Sequence, residues 1–126
     1  MNSHLSIQKL EQLTRQLHVI SQQAFEAFQN YRDAPDTAAP DFYQQVKPFA
    51  DRTQEVVDQW RPLSEEWLRL EKPRYIYPIQ IKDTSENLLI VCVTAFQKDT
   101  RRRRFLETIE AINYVLDTML AELKQA

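Results

Sequence analysis

The chain has 126 residues, of which 43% are hydrophobic and 27% are charged, and we expect one domain over residues 1–126 with a single buried core. Its net charge of -2 at pH 7 indicates neither a strongly basic surface for nucleic acid nor an acidic tail. The sequence contains no glycine, which excludes glycine-rich phosphate-binding loops and the nucleophile elbow of the α/β-hydrolases.

The N-terminus and the hydropathy of the chain indicate neither export nor membrane insertion. Residues 1–5 lack the basic, apolar and small-residue succession of a signal peptide. The longest apolar run, residues 88–93, is far shorter than the roughly 20 residues of a membrane span. Cys92 lies in this run as the single cysteine, so we expect a buried thiol and no intrachain disulfide. We therefore expect a cytoplasmic protein with no membrane partner.

The first predicted helix carries an apolar stripe whose spacings alternate between three and four residues. Phe25 and Phe28 widen this stripe towards its C-terminal end. Ser3 or Ser6 can cap the start, and the segment 33–40 ends the helix. The stripe consists of Leu10, Leu13, Leu17, Ile20, Ala24, Ala27 and Tyr31.

A second predicted helix begins after Asp41, which is a good N-cap, and ends before Pro73. Its apolar stripe passes through Pro48 and Pro62 without a change of phase, which predicts one helix that is kinked or restarted at these prolines. Both tryptophans belong to the stripe, and we expect them in the core. The stripe consists of Phe42, Val46, Phe49, Thr53, Val56, Trp60, Leu63, Trp67 and Leu70.

The next stretch cannot form a regular helix, because Pro73 and Pro78 each remove a backbone donor and disfavour helical geometry in the preceding residue. The stretch is nevertheless rich in Ile and Tyr, which predicts an extended segment packed on the core. An extended segment over 73–82 can span ~33 Å. We therefore expect a crossover along the second helix before a shorter third helix begins.

The third predicted helix covers residues 84–98, with Asp83 as its cap and Glu86 reaching back in a capping box. The alternative is a β-hairpin formed by residues 75–81 and 88–96, because both runs are rich in strand-forming residues. A lone hairpin on two long helices is an unusual architecture, which favours the helix. The side chains expected to face inward are Leu88, Cys92, Ala95 and Phe96.

The fourth predicted helix starts near Thr100, and a cap at Asp99 or Thr100 favours a break after the third helix. One continuous helix is the alternative, since residues 97–100 contain neither Gly nor Pro. Four one-sided helices must bury their stripes against each other. The prediction is an all-α, antiparallel four-helix bundle with two long N-terminal helices, an extended Pro-rich crossover (73–82) and two shorter C-terminal helices. The fourth stripe consists of Phe105, Ile109, Ile112, Leu116, Met119 and Leu123.

The sequence contains no recognisable catalytic or metal-binding set. Neither His4 nor His18 lies in the Glu-x-x-His motif of di-iron bundles, and two histidines with one cysteine give no zinc set of usual spacing. Glu65 and Glu66 are adjacent and point in different directions on a helix, so they form no acid dyad. We therefore expect no enzyme activity, no catalytic residue, no metal and no cofactor.

A run of four arginines opens the fourth predicted helix, where cations oppose the positive helix end at a cost of ~0.3–1 kcal/mol each. Solvation and pairing with Asp99, Glu107 and Glu110 would offset this cost. The alternative is an anionic partner such as an acidic helix, a phosphate group or nucleic acid, with Arg74 and Lys82 as neighbours of the run. The remainder of the chain has more acidic than basic residues, which weighs against nucleic acid. The run consists of Arg101, Arg102, Arg103 and Arg104.

Several short strings occur here in the same order as in a known family. The combination, which runs from about Leu10 to Leu123, resembles the YppE-like family of small bacillar proteins, a domain of unknown function. The resemblance implies an all-α four-helix bundle, favours a helix over the hairpin for 84–98, and implies no established activity, cofactor or catalytic residue. The strings are Asp41-Phe42-Tyr43, Val46-Lys47-Pro48-Phe49, Trp60 and Trp67, Pro73-x-Tyr75-Ile76-x-Pro78-x-Gln80-Ile81, Thr84-x-Glu86-Asn87 and Arg104-Phe105.

The surplus of aromatic residues suggests an interaction protein that binds an unknown protein partner or a second copy of itself. Apolar grooves of bundles capture helices and peptides. The alternative is that these aromatics only close the core. An anion- or nucleic-acid-binding accessory protein that uses the arginine run is the alternative function. The aromatics are Phe42, Tyr43, Phe49, Tyr75 and Tyr77, and the candidate interaction residues are Tyr75, Tyr77, Gln80 and the four arginines.

Overall fold

The computed structural model describes residues 3–32 and 41–124, with side chains from residue 6 onward. Four α-helices follow each other: α1 (Ser3–Arg32), α2 (Lys47–Glu71), α3 (Pro78–Thr94) and α4 (Arg102–Leu123). A π-helical turn, Phe42–Val46, leads into α2. The described residues form no strand, so the predicted all-α fold is confirmed and the hairpin alternative is wrong.

Consecutive helices run antiparallel, and α1 contacts each of the other three. Ser21 on α1 bonds to Asn113 on α4, while Phe28 further along α1 stacks on Phe105 near the start of α4. Similarly, Ile7 at the beginning of α1 lines the same small cavity as Leu70 at the end of α2. The bundle therefore has a lower end, which holds the α2–α3 connection, and an upper end, which holds the α3–α4 connection.

The predicted stripes supply the core of the bundle. In α1 the stripe is buried from Leu10 to Ala24 and half-buried beyond it, and in α4 the whole predicted stripe is buried. Both tryptophans are buried, as predicted. The stripe prediction is wrong for Phe42, which lies in the π-helical turn, and for Leu70 in the last turn of α2, since both side chains are exposed.

One polar pair inside the core joins α1 to α2. The indole Nε1 of Trp60 donates to the hydroxyl of Thr14 at 3.0 Å, and this hydroxyl donates to the carbonyl of Leu10 at 2.7 Å. Trp60 and Thr14 are fully buried. Because a buried donor without a partner destabilises a fold, this relay fixes α2 against α1.

The predicted N-cap at the start of the second helix is confirmed, but the first turn after this cap is π-helical and not α-helical. The backbone N–H of Gln44 donates to Oδ1 of Asp41 at 2.9 Å, so Asp41 is the predicted N-cap. The capped turn is π-helical and becomes α-helical at Lys47, with Pro48 in the first turn of α2. The helix continues through Pro62, which confirms one helix across both prolines.

The boundaries around α1 and α4 are simpler. Since α1 begins at Ser3, Ser6 lies inside the helix and is not its cap. The helix-ending segment 33–40 lies outside the described residues. The chain breaks between α3 and α4, so the prediction of two separate helices is confirmed, and α4 begins at Arg102.

The predicted crossover over 73–82 is wrong, because α3 begins at Pro78 and not at Thr84. Proline is well suited to a first helical position, where its missing N–H loses no hydrogen bond. The side chain of Gln80 accepts from the backbone N–H of Tyr77 at 2.7 Å and completes the cap. The predicted capping box over 83–86 therefore lies within the helix, and only a short turn, residues 72–77, joins α2 to α3.

Candidate interaction groove

The turn over 72–77 reverses the chain with two residues in the left-handed region. Lys72 has φ 45° and its N–H donates to the carbonyl of Leu68 at 3.1 Å, which closes the end of α2. Tyr75 has φ 70°. Glycine is the usual residue at such positions, since a side chain costs about 1–2 kcal/mol there. Only Ile76 of this turn is buried, at 3% exposed.

With Ile76 facing the core, the apolar residues around it face outward. Tyr75 and Tyr77 are each 61% exposed and Ile79 is 58% exposed. The interpretation that these two tyrosines close the core is therefore wrong. Gln80 is half-buried and its amide oxygen is engaged in the cap, so its role is to hold the start of α3.

The other surplus aromatics lie at the upper end of the bundle. Phe42 and Tyr43 are exposed, so they do not close the core. Their rings contact each other edge to face, with 5.3 Å between the ring centroids. Phe49 is half-buried and packs against Phe96, with 6.0 Å between the ring centroids, so it helps to close the core. The predicted aromatic surplus is thus divided between two ends of the molecule.

An open groove of about 880 Å³ lies between the last turns of α2 and the first turn of α3. We call it the corner groove. Its surface is mainly apolar, and four cationic side chains and one acidic side chain stand around it. The apolar residues are Leu68, Pro73, Ile76, Tyr77, Pro78 and Ile79, and the charged residues are Arg61, Glu65, Arg69, Lys72 and Lys82.

The corner groove carries an excess of positive charge. Arg61 pairs with Glu65 at 2.8 Å, which leaves this acid engaged. Arg69, Lys72 and Lys82 form no ion pair with any residue that the structure describes. The whole chain has a net charge of -2, so the groove differs in sign from the molecule that bears it.

The arginine run lies exposed at the upper end. Arg103 pairs with Glu107 at 3.0 Å, which confirms one of the expected partners. Within residues 41–124, neither Asp99 nor Glu110 pairs with the run. Arg101 and Arg104 line a shallow groove of about 360 Å³ between α3 and α4.

The arginine run and the corner groove are separate sites. Arg74 lies in the turn that precedes α3 and Lys82 lies near the beginning of α3, whereas the run follows the end of this helix. A helix the length of α3, Pro78–Thr94, is about 25 Å long at ~1.5 Å per residue. The prediction that Arg74 and Lys82 neighbour the run is therefore wrong.

His18 and Ser21 lie on the flank of the bundle, where each contacts a residue of α4. They do not form a nucleophile–base pair. Nε2 of His18 lies 3.1 Å from Oδ1 of Asp117, and both side chains are partly exposed. The hydroxyl of Ser21 donates to Oδ1 of Asn113 at 2.8 Å and not to the imidazole. In the described residues no cluster of His, Cys, Asp and Glu has the arrangement of a metal site.

None of the described helices is long and apolar enough to cross a membrane. The fold and the groove together define a small all-α bundle that carries an open apolar groove at one end. A family profile described as a bacterial domain of unknown function (DUF1798) matches residues 14–123, and the chain belongs to this family.

Relatives of known structure share the fold along almost their entire length. YppE of Bacillus subtilis (strain 168), an uncharacterised protein, is 21% identical over 116 residues, 92% of this chain and 93% of YppE. The YppE crystal structure has a TM-score of 0.86, at 20% identity and 94% coverage of each chain. A Listeria innocua protein of unknown function has a TM-score of 0.89 at 25% identity, covering 96% of this chain and 95% of that chain. The resemblance to the YppE-like family is confirmed.

Sequence reasoning found the two tyrosines of the turn and assigned Lys82 to the arginine run. It missed the other basic side chains of the groove, Arg61, Arg69 and Lys72. Arg61 and Arg69 are two turns apart on α2, and Lys72 and Lys82 join them only because the chain turns tightly. The spacing of Arg61, Glu65 and Arg69 by four residues was the available signal, since such residues share one helix face.

Proposed function

We propose that this chain is a non-enzymatic cytoplasmic protein-interaction module whose docking surface is the corner groove. The observation that carries the proposal is the outward position of Tyr77 and Ile79 beside an open apolar groove. Large apolar side chains gathered at an open groove mark a binding surface, because leaving them in water is unfavourable.

The local backbone supports this proposal. The turn is bounded by the end of α2 and the capped start of α3, and the Gln80 cap and the bond from Lys72 hold both helix ends. A surface of this kind is already ordered before it binds. Less conformational entropy is then lost on association than for a flexible loop, which favours affinity.

The test compares a groove variant with a matched surface variant. Tyr77→Ser with Ile79→Ser removes the apolar side chains of the groove. Tyr114→Ser with Val19→Ser removes equivalent residues on the α4 and α1 surfaces, since Tyr114 is 58% and Val19 52% exposed. Each protein is used as bait for quantitative affinity capture from the cell that makes it, followed by binding measurements with the purified partner.

We expect wild type and the surface variant to bind the same partner, and the groove variant to bind it at least about tenfold more weakly. Circular dichroism confirms that all three proteins are folded. Equal affinity of the partner for all three proteins would place the docking surface elsewhere and contradict the proposal.

A second candidate function is favoured by the unpaired arginines at the upper end. Within residues 41–124, Arg101, Arg102 and Arg104 form no ion pair, so solvation alone offsets their position at the start of α4. An anionic ligand such as nucleic acid would neutralise them. Arg101→Glu with Arg104→Glu should then abolish a salt-sensitive mobility shift of an oligonucleotide. The absence of any shift with wild type in low salt would remove this candidate.

A further inference from the structure

We infer that the corner groove accepts an acidic segment of a partner protein that carries a bulky apolar anchor residue. This inference rests on the proposed function and specifies the chemistry of the partner. It combines three features of the groove, namely its charge, its apolar floor and the positive N-terminal end of α3.

Charge complementarity is the first feature. Four cations line the groove, and its single acid, Glu65, is already paired with Arg61. Arg69 and Lys72 also favour the negative end of α2, but this effect is limited to the last helical turn. It does not account for Lys82, which lies on α3 and faces the same groove. An acidic segment would meet three cations that no described residue neutralises.

The apolar floor is the second feature, and it distinguishes a peptide from a small anion. A free phosphate would engage the cations and leave Ile79 and Tyr77 in water. The groove volume of about 880 Å³ leaves room for several side chains of a partner segment. A segment that carries both carboxylates and an apolar anchor would cover the floor and the rim together.

The start of α3 is the third feature. Helix N-termini favour acidic side chains in the first turn, and α3, like the other three α-helices, has none there. Pro78 occupies the first position and lines the groove, so the positive end of the helix adds to the attraction of the nearby cations. A carboxylate of the partner would supply the charge that the first turn lacks.

A protein segment is favoured over a nucleic acid strand. Nucleic acid binding relies on cations distributed along a backbone-tracking surface. The corner groove places its cations around an apolar floor, and the chain as a whole carries 18 acidic against 16 basic residues. A long polyanion would meet repulsion beyond the groove, whereas a short acidic segment would not.

The experiment measures fluorescence anisotropy of labelled peptide pools with the intact chain. One pool combines acidic residues with Leu, Ile or Phe. Two counter-pools replace either the acidic residues by lysine or the apolar residues by serine. A labelled oligonucleotide is the fourth probe. The protein variants are Lys72→Glu with Lys82→Glu in the groove and Lys47→Glu with Arg52→Glu at the upper end, where α2 begins, and the two pairs change the net charge equally.

We expect wild type and the upper-end variant to bind the acidic apolar pool, and salt to weaken this binding. The groove variant should lose about tenfold in affinity or more. Equal binding of either counter-pool, tighter binding of the oligonucleotide, or no binding of the acidic apolar pool would overturn the inference.

The same charge variants, assayed with the captured partner, separate this inference from the proposed function. If partner binding depends on Tyr77 and Ile79 and is unaffected by Lys72→Glu with Lys82→Glu, the docking surface is correct and the acidic chemistry is wrong. If partner binding depends on neither pair, both proposals fail.

Discussion

The Thr14 hydroxyl joins two helices at a point that water does not reach. It accepts from the indole of Trp60 and donates to the carbonyl of Leu10. Thr14→Val keeps the shape of the side chain and leaves the indole N–H without an acceptor. We expect the free energy of unfolding to fall by about 1–3 kcal/mol, measured by urea denaturation.

Thr118→Val is the matched control for this change. Its hydroxyl donates to the carbonyl of Tyr114 at 2.7 Å on an exposed surface, where water can replace the bond. We expect a change within about 0.5 kcal/mol. Equal losses for both variants would show that the relay to Trp60 contributes nothing specific.

Cys92 makes the stability of the bundle depend on pH in the alkaline range. Burial raises the pKa of its thiol to about 11, from 9.0, because the core disfavours the thiolate. The folded state therefore retains the proton to higher pH than the unfolded state. Its contribution to stability is complete below pH 9 and is lost as pH rises towards 11.

The measurement is urea denaturation of wild type and Cys92→Ala between pH 8 and about 11. We expect the stability of wild type to fall more steeply than that of the variant over this interval. Other groups that titrate in this range are common to both proteins, so the difference isolates the thiol. Parallel pH profiles would contradict the raised pKa.

At the scale of the elements, the two prolines of α2 differ in their effect on the helix, because one lies in its interior and the other at its start. Pro62 lies inside the helix and leaves the carbonyl of Asp58 without its usual donor, whereas Pro48 lies in the first turn. Pro62 is exposed, so its replacement loses little packing. We expect Pro62→Ala to raise the free energy of unfolding by roughly 1–3 kcal/mol.

Pro48→Ala is the control, and thermal and urea unfolding measure the stability of both variants. Proline at a helix start restricts the unfolded chain without breaking a helical bond. We therefore expect this variant to be unchanged or destabilised by up to about 1 kcal/mol. A stabilisation equal to that of Pro62→Ala would mean that position within the helix is irrelevant.

The elements also show what the sequence could and could not predict. The long stripes of α1, α2 and α4 were predicted because each repeats over many turns and faces one core. The start of α3 was not, because Pro78 suits a first helical position as well as it breaks a helix interior. Local spacing places Arg61 and Arg69 on one helix face, but only the resulting turn brings Lys72 and Lys82 to the same groove, which no local pattern indicates.

At the scale of the whole molecule, α1 and α3 each contact the other three helices, and α1 is the longer of the two. Leu17 lies near its middle and is fully buried. Leu17→Ala removes packing in the core cluster, and we expect the free energy of unfolding to fall by about 2–5 kcal/mol in urea denaturation. Val19→Ala, on the exposed face of the same helix, should change stability by less than about 0.5 kcal/mol. Comparable losses would mean that α1 is not packed as a central element.

The antiparallel order has one more consequence, which concerns tethering. Ser3 begins α1 and Leu123 closes α4 at the lower end, where the corner groove also lies. An acidic peptide fused through a short flexible linker to the end of α4 would search a small volume around the groove. Its local concentration there would be in the millimolar range. Even a weak ligand would then occupy the groove within one polypeptide, which makes a fusion of this kind a means to crystallise the bound state.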